Sequence, residues 1–188
     1  MKELLQKRTA ELKGLLDLVL IECSESITEA ADLIIDCYRS SGGVFLFGNG
    51  GSAADAMHIA AELNGRYLMD RPGLRAQSLV SDAATFTSLS NDYGYEKVFA
   101  RQLEANGKAG DIAWGLSTSG NSPNVVHALC TAKARGLKTI ALTGQGGGKC
   151  AEHADVLISV PSDCTPHIQE AGILIYHCIC EAVEKKLF

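Results

Sequence analysis

The sequence predicts an α/β fold, with a parallel sheet covered by helices on both faces and a pair of helices ahead of it. Two observations favour this class. Short apolar runs alternate with segments of helical periodicity from Gly43 to the end of the chain, which is typical of β–α–β crossovers. The length of 188 residues, of which 46% are hydrophobic, is also enough to bury a core without disulfide bonds.

Residues 1–41 are predicted to form two helices, because apolar side chains recur at helical spacing in both halves of the segment. The apolar stripe of the first helix is wide for a helix that lies alone on a surface. We expect this stripe to pack on a partner subunit, and packing on its own domain is the alternative.

Five apolar runs are predicted strands, and they cover residues 44–47, 76–80, 112–116, 139–142 and 156–160. Helices are predicted between and after the strands, near residues 52–65, 82–90, 95–106, 122–135 and 165–187. No linker or repeat interrupts this pattern. We therefore expect one domain over residues 1–188, with an α/β core at 42–188 and helices at 1–41 that serve in oligomerisation.

Charge and hydropathy exclude several function classes. The 17 Lys and Arg residues against 22 Asp and Glu give a net charge of −5, so nucleic acid is not an expected partner. No apolar stretch approaches the ~20 residues that span a bilayer, and the charged N-terminus lacks the pattern of a signal peptide. The seven cysteines form an odd, scattered set, typical of reduced thiols. We expect a cytoplasmic protein with no membrane partner.

A glycine loop follows the first predicted strand, with the sequence Gly48-Asn49-Gly50-Gly51-Ser52. Glycines let a backbone approach a ligand closely. Ser52 begins a predicted helix whose free N–H groups favour an anion. A plain tight turn is the alternative explanation for these glycines.

A hydroxyl loop follows the third predicted strand, where the run 117–122 reads Ser-Thr-Ser-Gly-Asn-Ser and precedes Pro123. One hydroxyl would suffice to cap the next helix. Four hydroxyls, with a glycine and an amide, are typical of a neutral phosphate cradle made of hydroxyl and N–H groups. Capping alone is the alternative. For a third glycine loop at 143–149, flexibility explains the composition as well as binding does.

Four polar side chains lie at helical spacing on two predicted helices. His58 and Glu62 are four residues apart in an otherwise apolar segment, so they share one face. Gln169 and His177 are eight apart on the last helix and lie nearly on one face. The set could converge as three good metal ligands and an amide oxygen. The alternative is that the histidines are structural and Glu62 is solvated.

The two loops, together with the segment Asn91-Asp92-Tyr93-Gly94-Tyr95 between them, resemble the motifs of the sugar isomerase (SIS) family. The similarity runs from the N-terminal helices to Phe188, and several motifs agree in order and spacing. The resemblance implies a flavodoxin-like, three-layer sandwich with a five-stranded parallel sheet. It also implies a homotetramer with active sites between subunits.

By this resemblance the chain is expected to be an aldose–ketose isomerase. The implied reaction converts sedoheptulose 7-phosphate to D-glycero-D-manno-heptose 7-phosphate through an enediol(ate), as the first step toward the nucleotide-activated heptose of lipopolysaccharide, capsule or glycoprotein. The resemblance implies Glu62 as the base and His177 as its acid partner. It also implies a zinc ion in each subunit, held by His58, Glu62, His177 and the weaker ligand Gln169.

The other implied substrate contacts fall on the same motifs. Phosphate is expected at the backbone of Gly50 and Gly51 and at the hydroxyls of Ser52, Ser117, Thr118, Ser119 and Ser122. Sugar contacts are expected from Asn49, Asn91, Asp92 and Gln169, with charge from Arg66. Asp55 either caps its helix or touches the substrate. Many relatives carry a further histidine where this chain has Gly172, a departure that leaves the four positions above intact.

A non-catalytic scaffold is the alternative function. One class of SIS proteins keeps the fold and the tetramer but binds the bacterial replication initiator protein, and it lacks the full set of catalytic residues that this chain retains. Arabinose 5-phosphate isomerases are a third alternative. They are disfavoured because they usually carry a regulatory module that 188 residues cannot hold.

Overall fold

A computed structural model describes the whole chain from Met1 to Phe188. Its seven α-helices are α1 (Lys2–Glu22), α2 (Ser24–Arg39), α3 (Gly51–Asn64), α4 (Ala83–Tyr93), α5 (Val98–Asn106), α6 (Pro123–Ala134) and α7 (Thr165–Leu187). Its five strands are β1 (Val44–Gly48), β2 (Ala76–Ser78), β3 (Ile112–Ser117), β4 (Lys138–Thr143) and β5 (Val156–Ser159). Short 3₁₀ helices cover Tyr95–Lys97 and Gly148–His153.

The five strands form one sheet in the order β2-β1-β3-β4-β5, and every neighbouring pair is parallel. All positions of β1 and β3 are buried, because a parallel sheet covered on both faces exposes neither of them. The edge strand β2 is shorter than predicted, since it ends at Ser78 rather than at residue 80. The predicted α/β class is confirmed.

Alternation along the strands divides the interior into two hydrophobic cores. Leu46 and Trp114 face the core formed with α1, α2, α3 and α7. Their neighbours Phe45 and Ala113 face the opposite core, formed with α5 and α6. Because successive side chains point to opposite faces of a strand, each central strand supplies both cores. The result is the expected three-layer sandwich.

The predicted N-terminal helical pair is present, and its two helices are buried to different degrees. The first, α1, buries only Leu15 and Val19, whereas α2 buries five residues and packs on α7. Leu20 and Ile21 of α1 are 71% and 75% exposed. The apolar stripe of α1 is therefore only partly covered within one chain, since Leu4, Leu5 and Leu20 remain exposed. None of the helices combines the length and the hydropathy that a bilayer span requires.

The connections after β1 and β3 leave the sheet in opposite directions. The chain enters α3 on one face after β1, and it enters α6 on the other face after β3. A reversal of this kind opens a crevice at the carboxyl ends of the two strands, where ligands bind in open α/β sheets. Gly48 and Leu116 are register partners, so the glycine loop and the hydroxyl loop begin side by side.

Candidate active site

The glycine loop leaves no room for side chains at its start. A Cβ atom on Gly48 would lie 2.8 Å from the Ser52 carbonyl oxygen and 2.9 Å from the Leu116 carbonyl oxygen. Gly50 has a φ of 58°, a left-handed conformation that favours glycine. These constraints bring the first turn of α3, including the buried Ser52, to the carboxyl end of β3. The free N–H groups of that turn thus face the crevice.

The hydroxyl loop is held in shape by its own hydrogen bonds. Ser117 Oγ donates to Ser122 Oγ over 3.0 Å, and the N–H of Asn121 donates to Ser119 Oγ over 3.1 Å. The Asn121 amide oxygen accepts a backbone N–H from the loop after β4. Pro123 occupies the start of α6, as is common for a first helical position. The four hydroxyl residues of this loop therefore lie in one hydrogen-bonded turn at the N-terminus of α6.

Asn49 forms an amide pair that links the glycine loop to α6. Its Nδ2 donates to Asn124 Oδ1 and its Oδ1 accepts from Asn124 Nδ2, each over 2.8 Å. The Tyr95 hydroxyl also donates to Asn49 Oδ1 over 2.8 Å. Asn124 is 1% exposed, and sequence reasoning missed both partners because they are distant in the chain. Asn49 thus orders the loop, and its contact with a sugar stays a prediction.

His58, Glu62 and His177 come together between α3 and α7. His58 Nε2 lies 3.0 Å from Glu62 Oε1 and 3.5 Å from His177 Nε2. One ligand atom from each of the three residues lies within 4.8 Å of the others. The spacing of four on α3 pairs the first two side chains, and the packing of α7 against α3 adds the third. The predicted convergence of these three side chains is present.

The buried Tyr176 contacts this cluster at His58 Nδ1, on the side away from Glu62. The Tyr176 hydroxyl lies 2.9 Å from His58 Nδ1, and it donates to Asp55 Oδ1 over 3.4 Å. In the tautomer with Nδ1–H, the Tyr176 hydroxyl accepts that proton and donates to Asp55, so the Nε2 lone pair faces Glu62 and His177. In the tautomer with Nε2–H, His58 donates to Glu62 Oε1 instead. The sequence offered only one signal for this arrangement, the spacing of three between Asp55 and His58. Asp55 does not cap α3, whose N-cap has no side-chain hydrogen bond.

Burial shifts the pKa of two groups at the site, His177 and Asp55. Desolvation lowers the pKa of His177, and His58 acts in the same direction while Glu62 opposes both. A lowered pKa keeps the imidazole neutral at neutral pH, so it can offer a lone pair to a metal or an N–H to a substrate oxygen. Desolvation raises the pKa of Asp55, against the opposing effects of Tyr176 and His58.

The donor set of the cluster fits a catalytic zinc ion. Two imidazoles and one carboxylate are a ligand set that zinc uses when it keeps a position open for water or substrate. The fourth predicted ligand, Gln169, packs its amide against Gly51. It borders a small pocket together with Ser52 and Thr118. Gln169 therefore lies beside the glycine loop and the hydroxyl loop, about two helical turns before His177.

Three further predicted substrate residues lie on exposed segments. Arg66 is exposed in the loop that follows α3. Asn91 and Asp92 lie near the end of α4, where Asn91 Nδ2 donates to Asp92 Oδ1 over 2.8 Å. No side chain of α4 is buried. Their contact with a substrate stays a prediction.

The chain matches the SIS domain family model over residues 9–144. It is 53% identical to the phosphoheptose isomerase of Sulfurimonas denitrificans over 162 residues, 86% of this chain and 83% of that relative. It is 46% identical to the phosphoheptose isomerase of Helicobacter pylori strain P12 over 183 residues, 97% of this chain and 95% of that relative. The solved structure of a phosphoheptose isomerase from Neisseria gonorrhoeae matches it with a TM-score of 0.92 at 40% identity, over 98% of both chains. The chain therefore belongs to the phosphoheptose isomerase family of SIS-domain proteins.

Proposed function

We propose that this chain is an enzyme that isomerises sedoheptulose 7-phosphate to D-glycero-D-manno-heptose 7-phosphate. The observation that carries the proposal is the convergence of Glu62, His58 and His177 in a chain that places two anion-binding loops at the sheet's switch point. Membership of the phosphoheptose isomerase family supports the substrate.

The phosphate of the substrate binds at the two loops. A chain with a net charge of −5 has no overall attraction for an anion, so capture depends on local groups. The N-termini of α3 and α6 supply N–H groups, and the hydroxyl loop supplies Ser119 and its neighbours. Arg66 adds positive charge from the loop after α3.

Proton transfer follows from the positions of Glu62 and His177. Glu62 removes a proton from carbon 1 of the ketose, and the electrons of that C–H bond form the double bond of an enediol(ate). Glu62 then returns a proton to carbon 2. Meanwhile the oxygen on carbon 2 gains a proton and the oxygen on carbon 1 loses one. The neutral His177 moves the proton between these oxygens, and Gln169 binds the sugar close by.

A zinc ion fits this mechanism, with His58, Glu62, His177 and Gln169 as the residues that would hold it. When bound, zinc would act as a Lewis acid toward the substrate oxygens. In the tautomer with Nδ1–H, whose proton the Tyr176 hydroxyl can accept, Nε2 of His58 is available for this role.

We further propose that the chain is a single SIS domain and forms a cytoplasmic homotetramer with active sites between subunits. The exposed apolar side chains of α1, Leu4, Leu5, Leu20 and Ile21, support the role of helices 1–41 in assembly. The exposed α4 is then free to bring Asn91 and Asp92 to a neighbouring site. The product would enter the synthesis of nucleotide-activated heptose.

The test is incubation of the purified chain with sedoheptulose 7-phosphate, followed by NMR detection of the anomeric proton of the aldose. We expect turnover of this substrate and much slower turnover of unphosphorylated sedoheptulose, which cannot use the loops. Ribulose 5-phosphate is the control for an arabinose 5-phosphate isomerase. Absence of turnover, or a preference for ribulose 5-phosphate, would contradict the proposal. The relatives named above are isomerases and give no support to the scaffold alternative.

A further inference from the structure

Glu184, near the end of α7, is a buried carboxylate outside the glycine loop and the hydroxyl loop. Its side chain is 1% exposed. Oε1 accepts the N–H of Tyr67 over 2.8 Å, and Oε2 accepts those of Leu68 and Met69 over 2.8 and 3.1 Å. Arg71 Nε donates to Oε1 over 3.0 Å. One side chain of the last helix thus holds the backbone of the loop that follows α3.

Arg71 completes the same structure from the loop side. Its side chain is 2% exposed, and its Nη2 donates to the Glu62 carbonyl oxygen over 2.9 Å. Its Nη1 donates to the carbonyl oxygens of Leu63 and Gly65, over 2.9 and 3.2 Å. Glu62 and Leu63 lie in the last turn of α3 and Gly65 is the residue that follows the helix, so these carbonyls lack a partner within the helix. Arg71 therefore caps the helix that carries Glu62.

The loop held in this way contacts His177. The Tyr67 ring lies with its centroid 5.3 Å from that of the His177 ring, at a tilt of 34°. His177 and Glu184 are seven residues apart on α7, so they lie on the same face of that helix. Two residues of α7, His177 and Glu184, therefore both contact this loop. Glu184 binds its backbone, and Tyr67 places an aromatic ring against an imidazole of the cluster.

We propose that Glu184 and Arg71 are positioning residues for the isomerisation, acting through Tyr67 on His177 and through the end of α3 on Glu62. The inference rests on the function proposed above. Replacing both partners of a buried ion pair by apolar residues is often neutral for stability, whereas removing one partner leaves the other charge buried and is destabilising. What the pair contributes here is geometry: it fixes the two proton-transferring side chains relative to each other.

The hydrogen bonds of the pair explain why the conservative substitutions Glu184→Gln and Arg71→Lys should not hold the loop in place. A glutamine at 184 keeps the shape but has one acceptor oxygen, and its NH₂ group meets N–H donors. A lysine at 71 keeps the charge but cannot reach the carboxylate and several carbonyls at once with a planar fork. Both substitutions loosen the loop without touching a residue that contacts the reacting atoms.

The experiment compares Glu184→Gln, Arg71→Lys and Tyr67→Ala with the control Glu181→Gln. Glu181 lies one turn earlier on α7, is 37% exposed and pairs with Lys185. Three quantities are measured for each protein: kcat and KM with sedoheptulose 7-phosphate, the thermal midpoint, and the rate of trypsin cleavage after Arg66. The Arg71–Pro72 bond resists trypsin, so cleavage within residues 65–72 reports on Arg66 alone.

We expect the three variants to lower kcat by about tenfold or more, since small misplacements of reacting groups have effects of this size. KM should change much less, and Glu181→Gln should match the wild type. Glu184→Gln should speed cleavage after Arg66. The double variant Glu184→Gln/Tyr67→Ala should be no slower than Glu184→Gln alone, because the loss of Glu184 already releases the loop that places Tyr67.

Wild-type kcat in Tyr67→Ala, or multiplicative losses in the double variant, would overturn the proposal. Tyr67 lies on a surface loop, so its variant tests the path even where Glu184→Gln fails to fold. A wild-type chain that does not turn over sedoheptulose 7-phosphate would contradict the proposed function instead. In that case unchanged trypsin cleavage in Glu184→Gln would still overturn the role of the pair in holding the loop.

Discussion

Ser119 illustrates how a single residue of the hydroxyl loop serves both structure and binding. Its Oγ accepts the N–H of Asn121, and its O–H remains available as a donor. A phosphate oxygen is an acceptor, so both roles can be filled at once. The hydroxyls were predictable from composition at a strand end. The bond to Asn121 was not, because it depends on the backbone conformation of the turn.

We predict that Ser119→Ala raises KM for sedoheptulose 7-phosphate by roughly tenfold or more, since a hydrogen bond to a charged group contributes about 1.5–3 kcal/mol. The ground state and the transition state share this contact, so kcat should change little. Ser119→Thr, which keeps the hydroxyl, is the matched control and should recover most of the affinity. A fall in kcat at unchanged KM would instead place Ser119 in the chemistry. Steady-state kinetics separate the two outcomes.

At the scale of elements, α3 and α7 build the site by facing each other. The spacing of four between His58 and Glu62 showed that they share a face. Only the packing of the two helices shows that the Tyr176 hydroxyl contacts Nδ1 of His58. Glu181 and Glu184 look alike in the sequence, three residues apart in a charged helix end. The fold exposes the first and buries the second, so the sequence alone could not single out Glu184.

The facing helices predict a metal affinity that depends on His58. His58→Ala removes one of three strong metal ligands. Zinc affinity should fall by about 100-fold or more, because even residues that only hydrogen-bond to a metal ligand contribute 10–100-fold to affinity. The affinity for substrate in the metal-free protein should change much less. The measurement is competition against a zinc indicator, with His127→Ala, on the exposed side of α6, as the control. Equal zinc affinity in wild type and His58→Ala would remove the histidine from the metal site.

The pairing of α7 with the loop after α3 predicts a pH dependence of stability. Burial by itself raises the pKa of Glu184, but three backbone N–H donors and the Arg71 guanidinium reverse this and hold the pKa below its ordinary value of 4.5. A carboxylate with a lowered pKa stabilises the fold above its ordinary pKa, and this contribution disappears as the pH falls through the lowered value.

Glu184→Gln should therefore be less stable than wild type at pH 7, and the difference should shrink below about pH 4.5. Urea unfolding at pH 7, 5 and 4, at one fixed protein concentration, measures the difference. Glu181→Gln serves as the exposed control and should show little difference at any pH. A gap between wild type and Glu184→Gln that stays constant across this range would contradict the assignment of a lowered pKa.

At the scale of the whole molecule, the sheet was the most predictable part and the assembly the least. The strands β1 and β3 are apolar at nearly every position because both faces of the sheet are covered, and this produces a strong signal in sequence. The region before β3 was less regular than predicted. The helix expected at 95–106 divides into a 3₁₀ turn at Tyr95–Lys97 and α5. Its Tyr95 hydroxyl binds Asn49, a contact that periodicity does not encode.

The exposed apolar side chains of α1 predict a tetramer that charged substitutions on this helix would weaken. Leu20 and Ile21 are largely exposed in one chain, and burying them between subunits removes apolar surface from water. Light scattering should give the wild type about four times the mass of one chain and the Leu20→Lys/Ile21→Lys double variant a smaller mass. Lys108→Glu, outside α1, is the control for a change of charge. A monomeric wild type at micromolar concentration would contradict the proposed assembly.

The central claim is that Glu62 moves a proton between adjacent carbons of a sugar phosphate. Sedoheptulose 7-phosphate incubated with the chain in D₂O and followed by NMR tests it most directly. We predict that wild-type product carries solvent deuterium at carbon 2 in at least part of the molecules. Glu62→Gln, nearly isosteric but unable to accept the proton, should slow turnover by about 10²–10⁴-fold. Turnover by Glu62→Gln within a few-fold of wild type would contradict this role of Glu62.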